Sequence, residues 1–427
     1  MNQQKQPVGR MVILGIQHVF AMFGATVLVP ALTGLNPATA LLCAGIGTWI
    51  FHLITGFKVP VFLGSSFAFI GCIVAAAQMF SGGAEMGTPA YTAALPYATG
   101  GIVIAGAVYL VLGLLVKLVG VERVRSFFPP IVTGPTIIII GMMLAPNAIN
   151  DIVAPLPGHP SSVNWLITLI VLATLFLVSL YAKGIFKLVP ILVGIVVGYI
   201  VSALFGIIDF APVAEASFFQ MPELFLPKFD MRSIMLIAPI AIVTFVEHIG
   251  DLAASSAVCG KDFLKDPGLH RTLWGDGLAT LVAGLLGGPA NTTYSENTGV
   301  LAATKNYNPT TLRIAATFAI CIAFLGKLGV LLQIMPTPVK GAIAVVLYGM
   351  IASVGLRTLV ENKVDFSNSR NLLIVAVMMV FGLGASGALT IGGVSVSGTA
   401  LAAVLGIVLN KLLPERIEKP DEEVHGS

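Results

Sequence analysis

The chain alternates long apolar runs with short polar connections along almost its whole length. Many of these runs approach the roughly 20 residues that an α-helix needs to cross the hydrocarbon core of a bilayer. We therefore expect an all-α polytopic membrane protein. The pattern predicts fourteen membrane-spanning segments, centred on residues 11–31, 37–56, 60–78, 97–118, 127–145, 164–182, 185–208, 233–256, 269–287, 293–305, 312–333, 337–355, 371–386 and 396–413.

The third and tenth segments break this regularity, because Gly, Pro, Ser and Thr interrupt them. The third contains VPVFLGSSFAF, and the tenth lies in GGPANTTYSENTG, which has too many poor helix formers for a continuous helix. Irregular backbone is tolerated at membrane depth only where it is buried in protein or lines a cavity. We expect two short antiparallel strands, one in each segment, that pair with each other and are each followed by a helix.

Basic residues are enriched in the cytoplasmic connections of membrane proteins. With the N-terminus inside and fourteen spans, 19 of the 23 lysines and arginines fall on the cytoplasmic side. Lys228, Arg232 and Lys340 fall outside, and Lys327 falls within a segment. The distribution predicts that both termini are cytoplasmic, and the N-terminus shows no cleavable signal pattern.

The two halves of the chain show weak internal similarity. The dipeptide Gln-His at Gln17 in the first segment resembles Glu-His at Glu247 in the eighth. From Gln17 to Phe67 is 50 residues, and from Glu247 to Glu296 is 49. Seven segments per half would invert the second half relative to the first, which is a common plan for transporters. We expect two inverted seven-span repeats.

Four acids fall within the predicted segments, where a charge costs roughly 2.5–3.5 kcal/mol at the bilayer centre. Glu247 and Asp251 are four residues apart and share one helical face. Glu296 lies in the interrupted tenth segment. Asp276 is expected near the cytoplasmic end of the ninth segment, where an acid costs little, and we interpret it as structural.

The chemistry around Glu296 indicates the kind of ligand. A helix that begins after each extended piece offers free N–H groups, which suit carbonyl oxygens. The carboxylates suit N–H groups. The implied ligand is small, planar and polar, with alternating donors and acceptors. A nucleobase fits this description, and other small amides do as well.

Composition narrows the class of protein. Hydrophobic residues make up 56% of the chain and charged residues 10%, against roughly 25% charged in soluble domains. The net charge of +3 is too small to indicate nucleic acid binding. The four cysteines form no CxxC, the six histidines show no metal-ligand spacing, and GxSxG and HExxH are absent from the sequence. We expect no metal, no cofactor and no enzymatic activity.

Glu296 to Lys305, ENTGVLAATK, resembles the signature of the nucleobase–ascorbate (nucleobase–cation symporter 2) transporters. That signature is Gln, Glu or Pro, then Asn-x-Gly-x-x-x-x-Thr, then Arg, Lys or Gly. QHVFAMFGATVLVP in the first segment, FLGSSFAF in the third and EHIGD in the eighth are also similar to that family. The resemblance covers essentially the whole chain and is strongest to its bacterial uracil permeases.

The resemblance implies a core domain built from spans 1–4 and 8–11 and a gate domain built from spans 5–7 and 12–14. The expected boundaries are 1–125 and 233–335 for the core, 126–232 and 336–413 for the gate, and 414–427 for a cytoplasmic tail. It also implies that substrate binds between the strands, and that members often form homodimers through their gate domains.

Site residues follow from the same resemblance. Glu247 and Glu296 would bind the ring N–H groups of uracil, the backbone N–H groups of Phe67 and Ser295 would meet its carbonyls, and Tyr294 would line the pocket. Some uracil-transporting members have histidine where this chain has Asp251, so the proton-coupling residue cannot simply be transferred. We expect Asp251 to carry the proton, with Glu247 as the competitor. The residues expected around the site are Gln17, His18, His248 and Asn297.

The expected function is proton-coupled uptake of uracil across the cytoplasmic membrane of a bacterium by alternating access, with protons as the coupling ion. Glutamate at the first signature position favours uracil, since purine-transporting members more often have glutamine there. A xanthine or other purine permease is the first alternative. An anion transporter of related fold or a channel is a weaker one, because carboxylates in the site would repel anions.

Overall fold

A computed structural model describes residues 7–126, 129–184, 186–385, 390–391, 394–395 and 398–414. The predicted tail lies outside these residues apart from position 414, and the first six residues lie outside them too. The helices are α1 (Val8–Thr33), α2 (Pro37–Ile54), α3 (Ile70–Ser81), α4 (Pro89–Val119), α5 (Val121–Arg125), α6 (Pro130–Val153), α7 (Ser161–Tyr181), α8 (Pro190–Leu204), α9 (Ala211–Glu215), α10 (Met231–Ile237), α11 (Ile240–Cys259), α12 (Leu269–Leu285), α13 (Ser295–Thr304), α14 (Pro309–Ala323), α15 (Gly326–Gln333), α16 (Thr337–Glu361), α17 (Ser369–Gly384) and α18 (Gly398–Leu412).

Short strands and turns complete the described chain. The strands are β1 (Leu63–Ser65), β2 (Asn291–Thr293), β3 (Thr390–Ile391) and β4 (Val394–Ser395). The short helical turns are Phe67–Phe69, Phe186–Leu188 and Leu264–Gly268.

The fold is that of a mostly helical membrane protein, and each of the fourteen predicted segments contains a helix. Within the described residues, seven helical stretches are long and apolar enough to cross a bilayer by length and composition, and several others are shorter and apolar. Local sequence explains where many helices begin. Asn36 caps α2 by accepting from the N–H groups of Ala38 and Thr39 at 2.9 and 3.2 Å, and Pro37 occupies the first helical position.

Two predicted segments are divided where we expected one continuous helix. The eighth breaks between α10 and α11 at Pro239, which has no N–H for the helical ladder. The eleventh breaks between α14 and α15, where the freed backbone finds partners in the extended stretch 216–220. Gly326 donates to the Phe218 carbonyl at 3.1 Å, and Gln220 donates to the Phe324 carbonyl at 3.0 Å.

Strands β1 and β2 lie in the two interrupted segments and pair antiparallel, with Gly64 opposite Thr292. All six strand residues are buried. A threonine hydroxyl from a neighbouring helix forms a hydrogen bond with the backbone of each strand. Thr48 of α2 accepts from the Leu63 N–H at 2.9 Å, and Thr280 of α12 donates to the Asn291 carbonyl at 2.7 Å. These bonds provide partners, within the protein, for peptide groups of each buried strand.

The helices pack as two groups. Helices α1 to α4 pack mainly among themselves and with α10 to α15, whereas α6 to α8 pack mainly with α16 to α18. The longest packing interfaces are α6 with α16 and α4 with α12. Contacts between the groups are sparse by comparison, and they include α1 with α8, α3 with α6 and α11 with α6. The strand pair lies within the first group, where it contacts α1, α2, α11 and α12.

Candidate functional site

The strand pair gathers the acidic residues. Asp251 of α11 accepts a hydrogen bond from the Thr293 hydroxyl of β2 at 3.1 Å. Glu296 lies in the first turn of α13, directly after the same strand, where the helix dipole favours a negative charge. Glu247 lies one turn before Asp251 on α11. The carboxylates of Glu247, Asp251 and Glu296 are close enough to repel one another. The structure therefore brings together the three acids that the sequence singled out.

Open space lies beside these acids. Glu247 is exposed. It is nevertheless surrounded by charged groups of the protein, since it interacts electrostatically with Glu296, Asp276 and His248. It therefore faces a gap inside the protein and not the surrounding lipid. Gly250 on α11 and Gly299 on α13 have no neighbouring atom within 4 Å of the position that a Cβ would take. Each of these glycines is three residues after a glutamate, so open space also lies on the glutamate side of both helices.

Backbone donors face the same region. The helical turn at Phe67 and helix α13 at Ser295 both begin without a side-chain cap. The first N–H groups of a helix have no partner within the helix, so they can bind a ligand's oxygen atoms. Phe67 is half-buried and Ser295 is exposed. Carboxylates and free N–H groups together can bind a neutral ligand that has both donors and acceptors.

Tyr294 holds the strands together. Its side chain is 5% exposed, and its hydroxyl donates to the Ser65 carbonyl of β1 at 2.8 Å. Its ring lies against Gly64, where a Cβ would be 2.3 Å from Cζ of the tyrosine. Only glycine permits this contact. The described geometry therefore gives Tyr294 a supporting position beneath the strand pair, with little surface left to line a pocket.

Asp276 is more important to the site than its sequence position indicates. We expected a structural acid near a helix end, where a charge costs little. The expected position and low cost are wrong, because Asp276 lies in the middle of α12 and its side chain is fully buried, whereas the contacts described next agree with a structural role. Its Oδ2 lies 2.9 Å from Nδ1 of His248, and the backbone N–H of Thr293 faces its carboxylate. Thr293 therefore contacts Asp251 through its hydroxyl and Asp276 through its backbone. Sequence reasoning missed Thr293, and the only available signal was its place beside the signature motif.

The proton count of the His248–Asp276 pair follows from its neighbours. The Thr272 hydroxyl donates to the Leu269 carbonyl at 2.9 Å, so Nε2 of His248, 2.9 Å from that hydroxyl, is the donor to it. One further proton must lie between Nδ1 of His248 and Asp276, since two lone pairs would otherwise face each other. The pair is net neutral with the proton on either partner. It can hold α11 against α12 without adding charge to the site.

The remaining predicted residues lie on α1 and α13. Asn297 is 1% exposed, and its amide donates to the His18 carbonyl at 3.1 Å and lies 3.1 Å from Nδ1 of His18. His18 is fully buried, whereas Gln17 is half-buried. The His18–Asn297 contact ties α1 to the first turn of α13, so it positions the helix that carries Glu296.

Known proteins resemble the whole chain. A probable uracil permease from Haemophilus influenzae is 46% identical over 402 residues, which cover 94% of each chain. A uracil permease from Bacillus caldolyticus is 43% identical over 420 residues, 97% of this chain and 94% of that protein. Among solved structures, the transmembrane domain of a cyanobacterium bicarbonate transporter, BicA, aligns with a TM-score of 0.63 over 93% of this chain and 96% of that chain. Its identity is 15%, so it shows a shared fold alone.

A family model described as a permease family matches residues 9–391. The chain therefore belongs to this permease family, the nucleobase–ascorbate transporters whose signature its tenth segment carries, and it is a membrane transporter and not an enzyme.

Proposed function

We propose that the protein takes up uracil together with protons across the bacterial inner membrane by alternating access. The observation that carries this proposal is the meeting of Glu247 and Glu296 beside the paired strands, with open space next to both. The names of the full-length relatives support uracil as the substrate. Protons are the coupling ion in this proposal, and no other cofactor is needed.

Uracil fits the donors and acceptors of the site. The carboxylates of Glu247 and Glu296 accept from its ring N–H groups, and the backbone N–H groups at Phe67 and Ser295 donate to its carbonyls. Hydrogen bonds to ionised acceptors are roughly twice as strong as neutral ones. A planar ring can therefore be held by its edges between the strands, while Tyr294 and the His18–Asn297 contact keep the surrounding elements in place.

Asp251 is the candidate proton carrier. It shares a helical face with Glu247 and touches the strand pair through Thr293. A carboxyl group in a dry site can hold a proton near neutral pH. Protonation of Asp251 from outside favours the form that binds uracil. The proton and uracil are then released when the site opens inward. Glu247 is the alternative carrier, because it lies one turn away on the same helix.

We further propose fourteen spans in two inverted seven-span repeats. The packing pairs support this, because exchanging each span with its counterpart in the other half maps one interface onto another. The α2–α14 interface corresponds to α12–α4, α1–α14 to α10–α4, and α6–α17 to α16–α7. The bonds of Thr48 to Leu63 and of Thr280 to Asn291 are a second equivalent pair, one in each half.

The two packing groups provide the moving parts. In our proposal, spans 1–4 and 8–11 form a core domain that carries the site, and spans 5–7 and 12–14 form a gate. Sparse contacts between the groups allow the core to move against the gate, which exposes the site to one side at a time. Both termini are placed in the cytoplasm, and the gate is the proposed surface for a homodimer.

An anion substrate is disfavoured by the same site, although the fold is shared with a bicarbonate transporter. Three mutually repelling carboxylates raise the energy of any bound anion. A competition uptake assay distinguishes uracil from a purine substrate. If uracil is the substrate, excess xanthine should leave uracil uptake unchanged.

The deciding experiment is direct binding of uracil to the purified protein. Glu296→Ala should insert and fold but lose uracil binding beside the strand pair, because one charge-assisted hydrogen bond to the ring is removed, so its overall affinity for uracil should fall strongly. Glu361→Ala, at an exposed acid of α16, is the matched control and should bind normally. Retained affinity in Glu296→Ala would remove Glu296 from the site.

A further inference from the structure

A separate cavity of about 600 Å³ lies where the ends of α1, α3, α6 and α16 meet. Its volume falls within the roughly 300–1,000 Å³ of ligand pockets. Glu247, Asp251 and Glu296 do not line it. It lies between the two packing groups, at the end of the molecule that carries Lys340, which the basic-residue distribution places outside.

The lining of this cavity is rich in amide groups. Asn147, Asn150 and Asp151 lie on one face of α6, and Gln78 of α3 lies on the opposite wall. Lys340 of α16 lines it too, and its ammonium attracts the Asp151 carboxylate. That attraction offsets both charges, and the Glu223 carboxylate also lines the cavity, so the cavity does not favour an anion. Amide side chains both donate and accept, which suits a neutral ring with alternating N–H and C=O groups.

Helix α3 connects this cavity to the candidate site. Phe67, Gly71, Val74 and Gln78 recur at intervals of four, three and four residues, so they follow one helical face. Phe67 is at the site, whereas Val74 and Gln78 line the cavity. Between them, Leu144 of α6 packs against Gly71. A Cβ at Gly71 would lie 3.0 Å from Cδ2 of Leu144, so only a small residue leaves room for this contact. The Leu144–Gly71 contact between the two packing groups therefore lies between the cavity and the site.

We propose that this cavity is an outer capture site, which holds a neutral cyclic ureide or imide such as uracil before the Leu144–Gly71 contact opens. The proposal rests on the function proposed above and extends it to a second position on the substrate route. The amide face of α6 binds the ring edge there, and the Asp151–Lys340 pair keeps the cavity polar and hydrated. Movement of the core against the gate then carries Gly71 away from Leu144.

Thiol protection tests this directly. Asn147→Cys is introduced into the protein with Cys259→Ser and Cys321→Ser, since Cys43 and Cys72 are buried. Intact cells are treated with a membrane-impermeant, negatively charged methanethiosulfonate, with and without uracil. The same measurement is made with Glu296→Ala added, so that binding at the central site is removed. We expect labelling from outside, and slowing by uracil in both backgrounds.

Three results would overturn the capture site. The first is that the introduced cysteine is not labelled from outside, and the second is that uracil does not slow its labelling in either background. The third is that uracil slows labelling only when Glu296 is intact, because this would report a movement caused by binding at the central site. A wild-type protein that binds no uracil would overturn the proposed function and this site together. Binding by the wild type without protection in the Glu296→Ala background would overturn this site alone.

A second variant locates the contact. Asn150→Ala should raise the uracil concentration for half protection by about fivefold, the factor expected for one lost neutral hydrogen bond. Asn362→Ala removes an exposed amide at the other end of α16 and should leave that concentration unchanged. Unchanged protection in Asn150→Ala would show that the amide face of α6 does not hold the ligand.

Discussion

Nδ1 of His248 lies 2.9 Å from Oδ2 of Asp276, and both side chains are almost completely buried. Because the Thr272 hydroxyl is already a donor elsewhere, the pair shares one proton and is net neutral. It joins α11, which carries Glu247 and Asp251, to α12. The contact therefore fixes the position of the helix with two of the three site acids.

Asp276→Ala should destabilise the protein strongly, because His248 would lose the carboxylate that its Nδ1 contacts at 2.9 Å while remaining buried. Breaking a buried pair typically costs about 3–5 kcal/mol. The exposed Arg357–Glu361 pair is the matched control, and Glu361→Ala should cost no more than about 0.5 kcal/mol. Thermal unfolding in detergent measures both. Equal melting temperatures for the two variants would show that the buried contact is not structural.

Gly64→Ala should abolish uracil binding at the strand pair and so lower the overall affinity strongly, since a Cβ would be 2.3 Å from the Tyr294 ring and the strands could not keep their register. Tyr294→Phe keeps the ring and loses the hydroxyl's bond to the Ser65 carbonyl, about 1 kcal/mol, together with the longer bond from the Thr26 hydroxyl. Gly349→Ala on α16 is the control, because nothing lies within 4 Å of its Cβ position. Binding isotherms of the three purified variants test the order. A Gly64→Ala protein with normal affinity would contradict the tight packing.

Local features of the sequence were sufficient to single out the acids that the structure brings together in the candidate site. Helix-breaking residues within an apolar run can be recognised without knowing the fold, and so can acids at helical spacing. These features singled out Glu247, Asp251 and Glu296. The same reasoning predicted extended pieces in the third and tenth segments, where the structure has β1 and β2. The signature motif added the family, which the comparisons confirmed over residues 9–391.

Contacts between distant parts of the chain were not predictable in the same way. The sequence placed Asp276 near the end of a predicted segment, where a charge costs little, whereas it lies in the middle of α12 and its burial against His248 depends on how α11 and α12 pack. Tyr294 was expected to line the pocket, but its ring packs on Gly64, more than two hundred residues earlier. No periodicity in the sequence encodes which helix faces which, so these partners required coordinates.

Asp251→Asn should bind uracil and lose pH-dependent accumulation, because an amide cannot release a proton but can still accept the Thr293 hydrogen bond. Asp262→Asn, an exposed acid after the end of α11, is the control and should accumulate normally. Uptake into vesicles with an imposed pH gradient measures coupling, and equilibrium binding measures affinity. Gradient-driven accumulation that persists in Asp251→Asn would assign the proton to another group, with Glu247 next to be tested.

Thr48→Val and Thr280→Val should have matching effects, because each hydroxyl satisfies peptide groups of one central strand. Valine keeps the shape and leaves a buried peptide group unpaired, at a cost of about 1–3 kcal/mol. If the halves are inverted repeats, both variants should lower thermal stability and uracil affinity by similar amounts. Thr358→Val removes an exposed hydroxyl that bonds only within its own helix, and it should change neither quantity. A large effect from one strand threonine and none from the other would show that the two strands are not equivalent, which would count against the repeat even if both variants bind uracil.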